Sequence, residues 1–228
     1  MIVKSESYLS KVLLGIVFLI NVNSRTSAQN LQIHYDYSEG REFITSTIEM
    51  LKPDDLGMTF FFVDFDYNHP KTGGISSAYW EIARDFALPH LKGLAVSLQY
   101  NDGLATWGPI GNVWLWGFSY PIRISDFRVA ASLLYRHSNS AKTADFQFTA
   151  AWGNPILSDM LIFTGFIDIW TRDKTDKNSK SIVILAEPQL WYELGTVLAI
   201  GGELEISNNF LPEEDWSFKP TIAVKWQF

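Results

Sequence analysis

Twelve stretches of this chain alternate apolar and polar residues with period two. None of the intervening sequence supplies the twenty or so apolar residues that a membrane-crossing helix needs. The cleanest is the last, "WSFKPTIAVKWQF" (216–228), in which Trp216, Phe218, Pro220, Ile222, Val224, Trp226 and Phe228 alternate with Ser217, Lys219, Thr221, Ala223, Lys225 and Gln227. The others lie at 31–37, 42–51, 58–67, 77–86, 93–101, 112–120, 127–137, 143–152, 160–170, 181–191 and 195–206. Each is near the nine to eleven residues of a tilted membrane strand, and their number is even. The pattern predicts an all-β fold, a twelve-stranded antiparallel up-and-down transmembrane β-barrel, because in lipid only helices and closed barrels satisfy every backbone polar group.

The connections support that reading. Those after odd strands include "NHPKTGGIS", "DGLATWGPIG", "TRDKTDKNSK" and "SNNFLPEED"; those after even strands include "KPDDLG", "LPHLK", "GNPILSD" and "YELG" and are generally shorter. Outer-membrane barrels have long external loops and short periplasmic turns, so both termini are expected in the periplasm. A soluble sandwich or lipocalin-like barrel shares the period. It does not require the aromatic content of 15% with nine Trp. Tyr35, Tyr37, Tyr67, Tyr100, Tyr135, Trp152, Trp191 and Trp226 fall near strand ends, where a membrane girdle places its rings.

Residues 1–28 read as a secretion signal: Lys4 and Lys11 precede the apolar run Val12 to Ile20, which is too short to span a bilayer, and "TSAQ" offers small residues before Gln29. The barrel is then 29–228, exported to the cell outer membrane of a Gram-negative envelope. Removing Lys4, Lys11, Arg25 and Glu6 takes 18 basic and 25 acidic residues to 15 and 24, a net charge of −9 that argues against nucleic acid as a partner. With no Cys, thiolate metal sites and nucleophiles are excluded. No cofactor is expected. The terminal Phe228 resembles the C-terminal signal by which barrels engage the assembly machinery, and the outward faces would meet outer-membrane lipid.

The blocks "STIEMLKPDDLGMTFFFVDFDYN", "AYWEIARDF", "AEPQLWYELG", "ELEISNNF" and "TIAVKWQF" resemble an uncharacterised family of bacterial outer-membrane β-barrels related to the nucleoside-specific channel-forming (Tsx-like) porins. The resemblance covers nearly the whole mature chain. It implies a monomeric twelve-stranded barrel with a narrow lumen. In the nucleoside channel itself, aromatic and ionisable groups along the lumen bind base and sugar; no individual position carries over from it.

Lumen residues are therefore read from the alternation, with the more apolar face of each strand toward lipid. The inward set comprises His34, Asp36, Thr45, Thr47, Glu49, Phe60, Phe62, Asp64, Asp66, Tyr79, Glu81, Ser97, Gln99, Arg128, Arg136, Asp145, Gln147, Phe166, Asp168, Trp170, Glu187, Gln189, Glu203 and Glu205. A charge facing lipid at mid-depth is unfavourable by up to a few kcal/mol, which nearly forces the central carboxylates inward. Strand 112–120 is ambiguous. The substrate-binding candidates are Phe60, Phe62, Asp64, Asp66, Arg136, Phe166, Asp168, Trp170, Glu203 and Glu205, an acidic and aromatic lumen suited to small polar solutes, nucleosides among them. Arg136 and Asp145, near one hairpin, read as a structural ion pair. Asp64 and Asp66 fall short of the ligands a Ca²⁺ ion needs.

The resulting reading is a passive channel with ten inward acids against two inward bases, Arg128 and Arg136, hence one preferring cations and neutral solutes. A lipid- or lipopolysaccharide-modifying enzyme is an alternative, resting on His34 and Asp36, since His69, His90 and His137 fall in or beside loops. A plugged structural or surface-binding barrel is the third. N-terminal sequencing of the outer-membrane form is expected to begin at or near Gln29. Trypsin added to intact cells is expected to cut within 171–180, whereas cleavage at Lys52 or Lys92 would invert the barrel.

Overall fold

The structure, a computed structural model, describes residues 28–174, 179–210 and 214–228. The signal-peptide reading rests on residues outside this set. The strands in chain order are β1 (Ala28–Asp36), β2 (Phe43–Asp54), β3 (Gly57–Tyr67), β4 (Ser77–Ala87), β5 (Ala95–Ala105), β6 (Gly108–Pro109), β7 (Val113–Ile124), β8 (Phe127–Ser138), β9 (Asp145–Ile156), β10 (Ser158–Asp173), β11 (Lys180–Ala186), β12 (Gln189–Glu193), β13 (Leu198–Asn208) and β14 (Ser217–Gln227). Of these, β6 is a two-residue pairing within the loop after β5. β11 and β12 are halves of one wall strand, so the wall has twelve strands, all antiparallel.

The wall is closed. Each strand pairs with its sequence neighbour, β9 pairs with β10, and β1 pairs with β14 over Asn30↔Gln227 to Asp36↔Thr221. The alternation that makes each strand amphipathic also fixes its register, because a one-residue slip would turn every lumenal charge to lipid. The connections at one end are short, from the single Leu157 between β9 and β10 to residues 88–94. At the other end they include 68–76 and 209–216. Both termini lie at the short end.

Strand 112–120, open on the sequence alone, resolves as β7 with Trp114, Trp116, Phe118 and Tyr120 outward and Leu115 and Ser119 buried inward. The outward rings pack across strands: Tyr100 meets Trp114 and Trp116 meets Tyr135, each pair with centroids 4.7 Å apart. Such cross-strand aromatic contacts stabilise a sheet face.

The β11/β12 break follows from Pro188, which has no N–H to donate to the ladder. Bonds from Glu187 N to Phe166 O and from Leu204 N to Pro188 O, both 3.0 Å, carry the wall across it. Opposite the break Gly165 adopts φ 141°, and a Cβ there would stand 2.4 Å from the Glu187 carbonyl oxygen and 2.9 Å from Pro188 Cα. Gly165→Ala meets both the backbone strain and the clash. It is expected to destabilise the barrel by about 1–3 kcal/mol, read as a lower urea midpoint for the heat-modifiable gel band in lipid vesicles.

Candidate functional site

The lumen is built from every second residue of the wall. Glu49, Phe62 and Glu81 are adjacent across β2, β3 and β4, and Thr47, Asp64 and Tyr79 stand beside them. Asp168 comes from β10, Glu187 from the break between β11 and β12, and Glu203 from β13. These carboxylates form one field. Asp64 is within electrostatic reach of Glu203, Asp66 and Glu81; Glu187 of Glu203, Asp64 and Glu81; and Glu81 of Asp168 and Arg136.

Most of these acids are held by neutral donors from neighbouring strands. Thr47 donates to Asp64 at 2.5 Å, Thr45 and Ser77 to Asp66 at 2.8 and 2.6 Å, and Thr149 to Asp168 at 2.5 Å. Asn101 and Tyr79 donate to Glu81 at 2.8 and 2.6 Å, Asn30 to Glu49 at 3.0 Å, and Gln189 to Glu203 at 2.6 Å. Neutral donors orient a carboxylate without cancelling its charge. The Glu187 carboxylate has no hydrogen bond among the described residues.

The acids toward the long-loop end are handled differently. Arg41, from the loop between β1 and β2, places Nε 2.7 Å from Asp36 and Nη1 2.9 Å from Glu205; Lys219 reaches Glu205 at 3.3 Å. Lys180 lies 2.6 Å from Asp145 and 2.8 Å from Asp173. The sequence missed Arg41 because a loop has no period to say where its side chains turn. It missed Lys219 and Lys225 although both belong to the polar face of β14. The count of ten inward acids to two bases is therefore corrected. Removing the ion-paired Asp36, Asp145 and Glu205 leaves seven carboxylates without an ion pair among the described residues.

The expected Arg136–Asp145 pair does not form, although the two are register partners. Lys180 takes the Asp145 carboxylate. Arg136 instead donates to Gln147 Oε1 at 3.1 Å and lies over the Trp170 ring at 5.1 Å from its centroid. Phe210, from the loop after β13, meets Trp170 edge-on at 5.9 Å. Phe60 and Phe62 (5.9 Å) and Phe62 and Tyr79 (6.0 Å) form a second aromatic run. Phe166 takes the position opposite Ala151 with no ring partner among the described residues.

Trp191 also departs from expectation. Assigned to the interfacial girdle, it is 0% exposed and points inward, sharing its face with Gln189. Its indole N–H donates to Gln189 Oε1 at 2.9 Å, Lys225 Nζ lies 4.2 Å from its ring centroid, and His34 meets it edge-on at 5.9 Å. Ala199 and Ala223 complete this packed cluster. His34 itself bonds Thr221 Oγ1 and Gln32 Oε1, both at 2.9 Å, while Asp36 is turned to Arg41. A His34–Asp36 base and orienter is not assembled. Among the described residues no three His, Asp or Glu side chains are placed to share a metal ion.

A closed antiparallel barrel with an apolar wall and hydrogen-bonded charges inside has the architecture of a membrane-spanning outer-membrane β-barrel. The chain belongs to the family described as "Domain of unknown function (DUF5020)", whose model matches residues 28–228. No curated protein matches it. Among solved structures it is similar to the KdgM porin, with 10% identity over 89% of this chain and 99% of that one and a TM-score of 0.52. It is also similar to the KdgM porin in complex with disordered oligogalacturonate, with 11% identity over the same shares and a TM-score of 0.50. At such identities the likeness is one of fold.

Arg41→Ala leaves Asp36 and Glu205 without their guanidinium and is expected to destabilise the barrel by about 2 kcal/mol, since removing one partner leaves the other's desolvation uncompensated. Adding Asp36→Asn should recover part of the loss in the same urea titration.

Proposed function

We propose that the protein is a monomeric outer-membrane channel for passive passage of small neutral or cationic solutes, with nucleosides among the candidates. The observation that carries this reading is a lumen of seven carboxylates without an ion pair among the described residues, six of them held by neutral donors, beside the aromatic runs of Phe60, Phe62 and Tyr79 and of Trp170 and Phe210. Acidic rings in a narrow low-dielectric pore favour cations, and ring faces bind planar groups weakly enough to release them. The sequence blocks that resemble an uncharacterised barrel family grouped with nucleoside channels support including that solute class. Phe60, Phe62, Asp64, Asp66, Arg136, Phe166, Asp168, Trp170 and Glu203 are the proposed contacts. Glu205, committed to Arg41 and Lys219, is a fastener of the wall. The acid excess disfavours a polyanion such as the oligogalacturonate found with the KdgM porin.

A second reading, a barrel plugged by its own side chains, is favoured by one observation: Leu115, Leu134, Val183 and Trp191 are fully buried inside the wall. Planar-bilayer recording separates the two. The channel reading expects a steady conductance, reduced by added nucleoside, with a cation-selective reversal potential across a salt gradient. Glu81→Gln with Glu203→Gln should move that potential toward zero, and Glu205→Gln should move it little. A silent wild type whose Trp191→Ala variant conducts would establish the plug. An anion-selective wild type would overturn the acidic-lumen assignment.

A further inference from the structure

The short-turn rim carries an exposed aliphatic side chain at each of its five turns. Leu56 follows β2, Leu91 lies between β4 and β5, Ile124 ends β7, Leu157 joins β9 to β10, and Leu194 follows β12. Their exposures reach 68% at Leu56, 67% at Ile124 and 98% at Leu157. Leu157 also has φ 60°, a left-handed conformation that glycine or asparagine adopts more readily. A leucine there accepts backbone strain for a side chain that is almost wholly solvent-exposed. That combination suggests a contact outside the chain.

We propose that this rim is submerged in the bilayer, its turn aliphatics seated at the phospholipid headgroup and acyl boundary of the periplasmic leaflet. Two observations favour lipid over a soluble protein. The aliphatics recur right around the circumference, as an annular bilayer requires and a one-sided docking partner does not. They also continue the lipid-facing wall. On β7 the outward positions Trp114, Trp116, Phe118, Tyr120, Ile122 and Ile124 are all apolar and exposed. Ten residue steps span about 33 Å of strand, or about 25 Å along the axis at a 40° tilt, which is the height of the apolar band. Ile124 therefore stands at the lower edge of that band, and the turn beside it meets the headgroups.

The charges on the turns fit this depth. Lys52 and Arg84 flank Leu56 and Lys92 follows Leu91, long side chains able to reach phosphate. Asp54 is neutralised by a two-pronged contact from Arg84, 2.8 Å at each nitrogen. Asp55, Asp126, Asp159 and Glu193 also lie on these turns, so net charge does not drive the contact and it should persist at high salt.

The chain has no native Cys, which permits single-cysteine labelling of the full protein. Leu56→Cys and Leu157→Cys would carry an environment-sensitive bimane, with Ser140→Cys on the opposite rim as the water-exposed control. The barrels would sit in nanodiscs of phosphatidylethanolamine and phosphatidylglycerol, where buffer bathes both faces of the bilayer. The proposal expects labels at 56 and 157 to be quenched by lipid spin-labelled near the headgroup. Iodide should quench them several-fold less than it quenches the control, at low and high salt alike. Iodide quenching equal to that of the control would overturn it, as would protection seen only after a soluble periplasmic protein is added. The measurement reads depth and not leaflet or conductance, so it stands apart from the channel reading and from the barrel's orientation.

Discussion

The pairing of β1 with β14 is the contact on which the rest of the molecule depends. In hydrocarbon no water is available to satisfy an open sheet edge, so the wall must close. It closes over seven register pairs, with a further bond from Phe228 N to Gln29 O at 3.1 Å. Because side chains alternate, the closure also decides what the lumen contains. Shifting β14 by one residue against β1 would drive Lys219 and Lys225 into lipid and replace them with Phe218 and Val224, or with Pro220 and Trp226 for the opposite shift. The Arg41–Glu205–Lys219 cluster and the Lys225–Trp191–His34 contact both span or border this seam.

Within the closed wall the charges divide by how they are compensated. Near the long loops, Arg41, Lys219 and Lys180 meet Asp36, Glu205, Asp145 and Asp173 directly, tying loops and strand ends to the wall. Deeper in the lumen, hydroxyls and amides hold Asp64, Asp66, Glu81 and Asp168 without a countercharge. A lysine in place of Thr47 or Thr149 would satisfy Asp64 or Asp168 but offset its charge. Cross-strand neutral donors therefore keep the acids ordered while leaving their charge available to whatever occupies the lumen.

Much of this was legible in the sequence, because strand period and lumenal polarity are one signal. All twelve wall strands and the inward placement of Glu49, Asp64, Glu81, Asp168 and Glu203 follow from alternation and from the cost of charge in lipid. The failures have separable causes. Nearness to a strand end points Trp191 to the girdle, although it shares the face of Gln189; parity is the better guide. Adjacency pairs Arg136 with Asp145, but the wall brings Lys180 from a third strand to the same carboxylate, a contact that only three-dimensional closure creates. Arg41 lies in a loop, where no periodicity reports direction. Strand 112–120 was ambiguous because both of its faces are largely apolar, and its neighbours' rings decided it.

The break at Pro188 links the wall to the acidic field. A continuous strand would present one more ladder donor toward a neighbour; proline removes it, and Gly165 allows the opposing backbone to approach closely. The residue preceding the break is Glu187, the lumenal acid without a hydrogen bond among the described residues. Its neighbours in the field are each fixed by a donor, Asp64 and Glu81 from intact strands and Glu203 from Gln189 at the start of β12. The wall's ladder is thus interrupted beside the carboxylate that no donor among the described residues engages, while the surrounding acids are held in place. An arriving hydrogen-bond donor or cation would meet a pre-ordered group of charges in which one carboxylate makes no hydrogen bond among the described residues, and that carboxylate sits where the strand has already given up a ladder bond.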